Sequence, residues 1–345
     1  MLAYSYTKYG SPEVISQVTI PTPTPKPNEV LVRVYATTVS AGDWRARSLI
    51  MPKGLGLMGR LVFGLSGPRK PVLGTEFSGV IEAVGAEVTR FQPGDAVIGF
   101  PGAAFGAHAE FITMPADGKL TQKPDNIGFE HAATIPFGAT TAYDFLVNKA
   151  KLQRGETVLI NGASGSVGSA CVQIAKHLGA DVTAVCSGRN AEMVRTLGAD
   201  HVIDYRTQNV IEPNSQYDMV VDTVGKLPWA QAKHAIRSGG KMVLIAGKTS
   251  DMFLGGIKAR LAGKKMVSGV ASEHRDILEA VVELAALGVL QPVIDRSYTF
   301  DHMKAAHAHV DTGHKKGNVV VTVKSCYRAR SFVEMERQLK DVTYA

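Results

Sequence analysis

The hydrophobic positions of this chain follow two patterns, which divide it into three sections. Up to about residue 126, apolar residues form short strand-like runs such as Glu29–Thr37 and Gly79–Val84, with turns at Pro93–Asp95 and Asp117–Gly118. Pro21–Pro27 is too proline-rich for a helix and is typical of an extended connector. The pattern predicts a β-rich first section.

From about residue 127 to 272, short apolar runs alternate with helical stretches. The runs predict strands at 157–161, 181–186, 201–204, 217–222, 241–245 and 265–270. Such alternation is typical of a parallel, doubly wound sheet. The last section predicts a helix, a strand, a helix and a strand over Arg275–Leu287, Val293–Phe300, His302–Asp311 and Asn318–Val323.

The simplest architecture of the α/β class inserts the middle section into a split β-rich domain. We expect a first part of that domain at 1–126, a nucleotide-binding domain at 127–272, the return of the split domain at 273–323 and a tail at 324–345. Apolar tail residues at helical spacing predict a short amphipathic helix: Phe332, Met335, Leu339 and Val342. Residues 45–70 show little periodicity, and a mobile lid, a membrane-surface contact and an ordinary packed loop stay open.

One segment of the middle section joins a strand, a turn and a helix. Glycines at 162, 165 and 168 follow the apolar run Val158–Ile160. Gly162 allows a tight turn, Gly165 lets the backbone approach a phosphate, and Gly168 lets the helix pack against the strand. The free N–H groups of the first helical turn attract an anion. The segment predicts a dinucleotide pyrophosphate site, against the simpler reading of a bare turn.

The end of the next predicted strand, Asp181–Cys186, bears on the choice of cofactor. An NAD site normally places an acid there to bind the ribose hydroxyls. This chain continues instead with Ser187 and Arg189, and no acid occurs between Val182 and Asn190. A guanidinium pairs well with phosphate oxygens, which favours NADP(H) over NAD(H). In the alternative reading, both residues only cap the next helix.

Composition limits the classes of protein to consider. A chain of 345 residues has room for two domains with separate cores. It contains no apolar run long enough to span a membrane and no evident secretory signal. Three cysteines in widely spaced positions, Cys171, Cys186 and Cys326, fit a reducing compartment, and we expect a cytoplasmic protein. The net charge of +7 comes from scattered residues, so no nucleic-acid partner is expected.

Several further motifs occur in a fixed order along residues 1–323. They are Tyr9–Val14, Val72–Val80, Phe91–Val97, Ala132–Ala142, the glycine turn, Leu197–Tyr205 and Gly317–Val323. With them the chain resembles the medium-chain dehydrogenase/reductase superfamily, most closely its zinc-independent, ζ-crystallin-like quinone oxidoreductase branch. The resemblance implies a Rossmann sheet inserted into a GroES-like domain, NADP(H) as cofactor and a homodimer.

The same resemblance implies positions for the cofactor. Gly162, Ser164, Gly165, Ser166, Val167 and Gly168 correspond to the pyrophosphate turn, and Ser187, Arg189 and Tyr205 to the 2′-phosphate and adenosine. The rest of the cofactor would lie against Thr223, Val224, Ala246, Gly247, Val270 and Asn318. Many relatives have lysine at the position of Asn318, so a charged contact is missing there.

Zinc is not expected on chemical grounds. Alcohol dehydrogenases of this superfamily carry a cysteine in the segment that matches Val39–Asp43 and a histidine before the glutamate that matches Glu76. This chain has Ser40 and Thr75 in those places, and catalytic zinc needs three cysteine, histidine or carboxylate ligands. Near the chain end, His302, His307, His309 and His314 lack metal-ligand spacing and predict a solvated helix face. His108, His131 and His234 are interpreted as structural histidines.

The remaining chemistry is hydride transfer from the nicotinamide to an electron-poor carbon. Negative charge then develops on the carbonyl oxygen, and a hydrogen-bond donor there lowers the barrier. The catalytic candidates are the hydroxyls of Ser40 and Thr140 and the Asp43 carboxylate, each with an alternative structural role. The first hypothesis is an NADPH-dependent, zinc-independent reductase of a quinone or an α,β-unsaturated carbonyl. An enoyl-thioester reductase and a non-enzymatic NADPH-binding or RNA-binding module are the alternatives.

Overall fold

The structure is a computed structural model that describes residues 1–50, 56–247 and 249–323. The predicted tail helix lies outside these residues. The strands are, in chain order, β1 (Leu2–Tyr6), β2 (Ile15–Thr19), β3 (Glu29–Thr38), β4 (Phe77–Val84), β5 (Ala96–Gly99), β6 (Phe111–Pro115), β7 (Leu120–Gln122), β8 (Thr157–Asn161), β9 (Asp181–Cys186), β10 (His201–Asp204), β11 (Tyr217–Asp222), β12 (Ile236–Leu244), β13 (Lys265–Ser268), β14 (Ile294–Thr299) and β15 (Asn318–Thr322).

Helices follow the predicted alternation in the middle of the chain. They are α1 (Ala41–Ser48), α2 (Gly56–Phe63), α3 (Phe129–Ala133), α4 (Ile135–Tyr143), α5 (Ser166–His177), α6 (Ala191–Thr196), α7 (Trp229–Ala235), α8 (Thr249–Leu261), α9 (Arg275–Ala286) and α10 (Met303–Asp311). No helix in the described part of the chain is both long enough and apolar enough to cross a membrane.

The middle section forms a six-stranded parallel sheet in the order β10-β9-β8-β11-β12-β13. This is the doubly wound order, in which the chain reverses direction across the sheet between β8 and β11. The strands are apolar because helices cover both faces; Val158, Ile160 and Val182, for example, are fully buried. The predicted fold class is confirmed.

The two ends of the described chain meet in a second sheet of seven strands. Its order is β14-β15-β3-β4-β5-β7, with β6 also paired to β3. Since β15 pairs antiparallel with β3, the chain returns to the first domain after the parallel sheet is complete. The exact division into domains stays a prediction, and packing crosses it: Leu278 and Val281 of α9 lie in the same core as α5.

The described part of segment 45–70 contains helical structure, although its sequence shows little periodicity. Helix α2 spans Gly56–Phe63, and the ring of Phe63 lies 6.4 Å from that of Phe105. Leu61 and Val62 are exposed. The sequence did not indicate this helix, and the lid, the membrane-surface contact and the packed segment all stay open as roles for residues 45–70.

Candidate functional site

The glycine turn joins β8 to α5 at the carboxyl end of the parallel sheet. Gly162 has a φ of +82°, a conformation that side chains disfavour. Its N–H and that of Ala163 donate to the carbonyl of Val185 at 3.1 and 3.0 Å. The turn is therefore tied to the end of β9 before any ligand binds.

The two following glycines serve different purposes: Gly168 allows close packing, and Gly165 leaves open space beside the backbone. A Cβ on Gly168 would lie 2.1 Å from the carbonyl oxygen of Gly162, whereas one on Gly165 would meet nothing closer than 3.6 Å. No side chain caps the first turn of α5, and the Ser166 hydroxyl is buried without a hydrogen-bond partner in the described residues. Uncapped N–H groups and a free hydroxyl fit the oxygens of a pyrophosphate.

The other predicted cofactor residues follow the carboxyl ends of neighbouring strands, where open α/β sheets bind ligands. Thr223 and Val224 follow β11, Ala246 and Gly247 follow β12, and Val270 lies two residues beyond β13. The Thr223 hydroxyl donates to the carbonyl of Asn161 at 2.9 Å. The structure thus brings these residues to one edge of the sheet, and their contacts with a cofactor stay predictions.

The predicted 2′-phosphate site after β9 has one neighbouring residue that the sequence reasoning missed. Ser187 is buried, Arg189 is exposed and Tyr205 is half exposed. The carboxylate of Asp204, at the end of β10, lies beside Gly188, 2.5 Å from where a Cβ would stand. Because β9 and β10 pair in parallel, with Asp204 opposite Cys186, Asp204 supplies the acid that the carboxyl end of β9 lacks.

Three polar residues of the split domain form a compact buried group. Ser40 caps α1, and its N–H and hydroxyl donate to Asp43 Oδ2 at 2.8 and 2.7 Å. The other oxygen, Oδ1, accepts the N–H of Gly74 at 2.8 Å. The Thr75 hydroxyl donates to Ser40 Oγ at 2.9 Å. The predicted pair Ser40 and Asp43 therefore lies together with Thr75, and their catalytic roles stay predictions.

Glu76 links this group to the nucleotide-binding half. Its carboxylate accepts the Thr38 hydroxyl at 2.5 Å and the N–H of Phe137, in the first turn of α4, at 2.6 Å. Burial raises the pKa of Glu76 to about 8, and both hydrogen bonds oppose that rise. Since both oxygens already accept hydrogen bonds, Glu76 positions α4 against the split domain.

Two predicted residues use their polar atoms inside the fold. The Thr140 hydroxyl donates to the carbonyl of Pro136, one turn earlier in α4, at 2.6 Å. Asn318 donates from its side chain to the carbonyl of Val293 at 3.1 Å and lines a small cavity together with Ser166. Asn318 therefore lies near the start of α5 although its amide is engaged elsewhere.

The prediction of a solvated histidine face is wrong for His307. This residue is fully buried, because it shares the inner face of α10 with Met303 and Val310. Its ring meets that of His108 edge to face at 5.4 Å, and neither of its nitrogens has a partner in the described residues. His108 lies 2.9 Å from the carbonyl of Thr38.

These two histidines lie beside a buried cation. Arg47 bonds to the carbonyl of Gly10 and pairs with Asp311. Burial lowers the pKa of His307 well below its usual value, and His108 and Arg47 lower it further. Burial also lowers the pKa of His108, against the attraction of Asp43. Both rings are therefore neutral in the folded protein near pH 7.

The positions that match zinc ligands hold a different set of donors. Ser40, Asp43 and Thr75 meet there, and each already has a partner within the group. Within the described ranges, no three histidine, cysteine or acidic side chains come together as a metal site would require. One carboxylate and two hydroxyls do not fit catalytic zinc.

Comparison with known families agrees with this geometry. Residues 26–125 match the alcohol dehydrogenase GroES-like domain, and residues 197–321 match the family described as zinc-binding dehydrogenase. Among solved structures, the quinone oxidoreductase from Coxiella burnetii superposes with a TM-score of 0.82 at 26% identity, covering 94% of this chain and 99% of that one. The Escherichia coli quinone oxidoreductase complexed with NADPH has a TM-score of 0.78 at 25% identity, covering 94% and 100%. CurK enoyl reductase has 0.81 at 25%, covering 94% and 99%.

Curated relatives cover nearly the whole chain. The chloroplast envelope quinone oxidoreductase homolog of Arabidopsis thaliana is 32% identical, over 93% of this chain and 98% of the relative. The mitochondrial NAD(P)H oxidoreductase RTN4IP1 of Bos taurus is 31% identical over 94% and 89%, and the 2-methylene-furan-3-one reductase of Solanum lycopersicum is 29% identical over 93% and 79%. The chain therefore belongs to the medium-chain dehydrogenase/reductase superfamily, in its quinone oxidoreductase branch, as an oxidoreductase that uses a nicotinamide cofactor and a small-molecule substrate.

Proposed function

We propose that this protein is an NADPH-dependent, zinc-independent reductase that transfers hydride to a quinone or an α,β-unsaturated carbonyl. The observation that carries the proposal is the uncapped first turn of α5, with the free Ser166 hydroxyl beside it. Arg189, in the short turn Gly188–Asn190 after β9, supports a 2′-phosphate, and relatives named for quinones and for a methylene-furanone support the substrate class.

In this proposal one set of residues binds the cofactor, and another stabilises the negative charge that develops on the substrate. The glycine turn and the strand ends would hold the cofactor, whose nicotinamide supplies the hydride when bound. Ser40 lies in the other half, where its hydroxyl can donate to the oxygen on which negative charge develops. To do so it rotates away from Asp43, which keeps the N–H groups of Ser40 and Gly74 as partners.

Zinc independence is supported by the chemistry of the donor set rather than by the family description. Ser40 and Thr75 are neutral hydroxyls in the places where a Lewis-acid site needs a thiolate and an imidazole. A hydrogen-bond donor can stabilise an enolate or a hydroquinone anion without a metal. Chelation should therefore leave the rate unchanged, and elemental analysis should find less than one zinc per chain.

A steady-state assay of cofactor oxidation tests the proposal. The purified chain is supplied with NADPH or NADH and a panel of quinones, alkenals and enoyl thioesters. We expect turnover with a quinone or an alkenal and a higher kcat/KM for NADPH. Binding of NADPH without turnover of any of these substrates would contradict the enzymatic proposal and favour a non-enzymatic binding module. If that module also bound RNA in a salt-dependent way, in competition with NADPH, it would be an RNA-binding module.

An enoyl-thioester reductase is the second candidate, and the structural likeness to CurK enoyl reductase favours it. The two candidates differ in the group bound to the carbonyl carbon, since an enoyl thioester carries a sulfur-linked group there that stays attached when the double bond is reduced. Turnover confined to enoyl thioesters in the same panel would select this alternative. The homodimer and the cytoplasmic location stay predictions of the resemblance and of the cysteine content.

A further inference from the structure

The loop between α10 and β15, residues 312–317, reaches the parallel-sheet domain at two points. The N–H of Gly317 donates to the carbonyl of Ser164 at 2.8 Å, and Gly317 forms an isolated parallel bridge with Gly165. The Arg189 guanidinium donates to the carbonyl of His314 at 3.3 Å. The loop thus extends from the glycine turn to the end of β9, the part of such sheets where the pyrophosphate and adenosine of a dinucleotide lie.

The end of this loop is rigid. Gly317 has a φ of +56°, and a Cβ there would lie 2.2 Å from the carbonyl oxygen of Val293. The N–H and the side-chain amide of Asn318 both donate to that same carbonyl, at 2.8 and 3.1 Å. Gly317 and Asn318 are therefore held against Val293, and Lys315 lies two residues before Gly317 in the chain.

The Lys315 ammonium has one hydrogen-bond acceptor among the described residues, so other N–H donors remain available to a ligand. Its Nζ donates to the carbonyl of Gly317 at 2.6 Å, and an ammonium group has three N–H donors. The side chain is only partly accessible. Burial lowers the pKa of Lys315 to about 8, while the negative charges of Glu76 and Asp295 oppose that change. A partly desolvated cation with free donors favours an anionic ligand.

We propose that Lys315 binds the pyrophosphate of the dinucleotide, as a second phosphate contact supplied by the split domain across from the glycine turn. The inference rests on the proposed function, because it requires a dinucleotide at that turn. Lys315 would act on an anion that NADPH and NADH share. Arg189, in contrast, would act on the 2′-phosphate, which only NADPH carries.

The proposal has a consequence for pH. The charged form of Lys315 binds the anion, and the anion in turn favours the charged form. Below pH 8 the ammonium is already protonated, so affinity changes little there. As pH rises above 8, the free protein loses the proton and affinity for both dinucleotides falls.

Calorimetric titration of the full chain with NADPH, NADH and 2′-AMP tests this contact. We expect Lys315→Met to weaken NADPH and NADH alike by about tenfold, the scale of one charge-assisted hydrogen bond. Binding of 2′-AMP, which has no pyrophosphate, should stay within twofold. The matched control is Lys316→Met, the same change at an exposed neighbour, which should leave all three ligands within twofold.

A second variant keeps the proposal testable if Lys315→Met unfolds. Lys315→Arg retains its charge above pH 9, so it should bind NADH as the wild type does at pH 7 and lose the decline above pH 8. Unchanged dinucleotide binding by Lys315→Met, a loss limited to NADPH, or an unaltered decline in Lys315→Arg overturns the assignment. Wild-type protein that binds neither dinucleotide overturns the proposed function itself, which is a separate result.

Discussion

The two halves of the candidate site are built in opposite ways. The proposed cofactor half is one contiguous turn, in which the missing side chain of Gly168 lets the helix pack closely and that of Gly165 leaves space beside the backbone. The proposed substrate half is a group of buried side chains, and its members Ser40 and Thr75 are separated by 35 positions in the chain. The first half depends on space for a ligand, whereas the second depends on internal hydrogen bonds. Substitutions should therefore affect binding in one half and stability in the other.

The largest effect is expected at Asp43. Asp43→Ala leaves the buried N–H groups of Ser40 and Gly74 without an acceptor, and we expect a loss of about 3 kcal/mol in the free energy of unfolding. Urea denaturation measures it. Asp43→Asn, which keeps one acceptor oxygen, should lose less; equal losses for both variants would contradict the hydrogen-bond explanation.

Two glycine substitutions test whether each glycine is needed for packing of the protein or for space beside a ligand. Gly168→Ala forces a Cβ against the carbonyl of Gly162 and should cost about 2 to 3 kcal/mol of stability. Gly165→Ala meets no atom of the protein closely, so it should keep the wild-type melting temperature and weaken cofactor binding. If Gly165→Ala binds NADPH normally, the turn does not approach the pyrophosphate.

Acid should destabilise the split domain through His307. Its pKa is lowered in the folded protein, so the unfolded chain binds the proton more readily below pH 6.5. Stability is therefore full above pH 6.5 and falls below it, by about 2 kcal/mol at pH 5 if His307 stays neutral. Urea denaturation of wild type and His307→Leu at pH 7 and pH 5 checks this, since the variant should lose less between the two. An identical pH dependence would assign the effect to other groups such as His108.

The opposite charges of Arg189 and Asp204 test the predicted preference for NADPH over NADH. Arg189→Ala should weaken NADPH binding about tenfold, roughly 1.4 kcal/mol, and leave NADH binding unchanged. Asp204→Asn should act in the other direction, because removing a carboxylate beside Gly188 favours a 2′-phosphate. Titration of each variant with both cofactors measures the effects. Equal changes for NADPH and NADH would remove Arg189 from the 2′-phosphate site.

The smallest effect is expected at Thr140. Its hydroxyl already donates to the carbonyl of Pro136 in its own helix, so Thr140→Val should change kcat by less than about twofold. Ser40→Ala, at the other predicted donor, should lower kcat with little change in cofactor affinity. A large loss of kcat in Thr140→Val would show that this hydroxyl leaves Pro136 during the reaction.

The sequence by itself determined the features that depend on neighbouring residues. The apolar runs and the glycine spacing predicted β8, the turn and α5, because strand, turn and helix each follow from local patterns. The order of strands and helices also predicted the doubly wound sheet. The sequence did not indicate α2, which lies in a segment rich in glycine, leucine and methionine.

Only the tertiary structure decided which distant residues meet. It brought Asp204 beside Gly188 through the pairing of β9 and β10, and it turned His307 toward His108 in the interior. It also placed Gly317, whose carbonyl Lys315 contacts, against the glycine turn through a bridge to Gly165. Such contacts join residues far apart in the chain, so their charges and burial follow from packing and strand register, which no local pattern encodes.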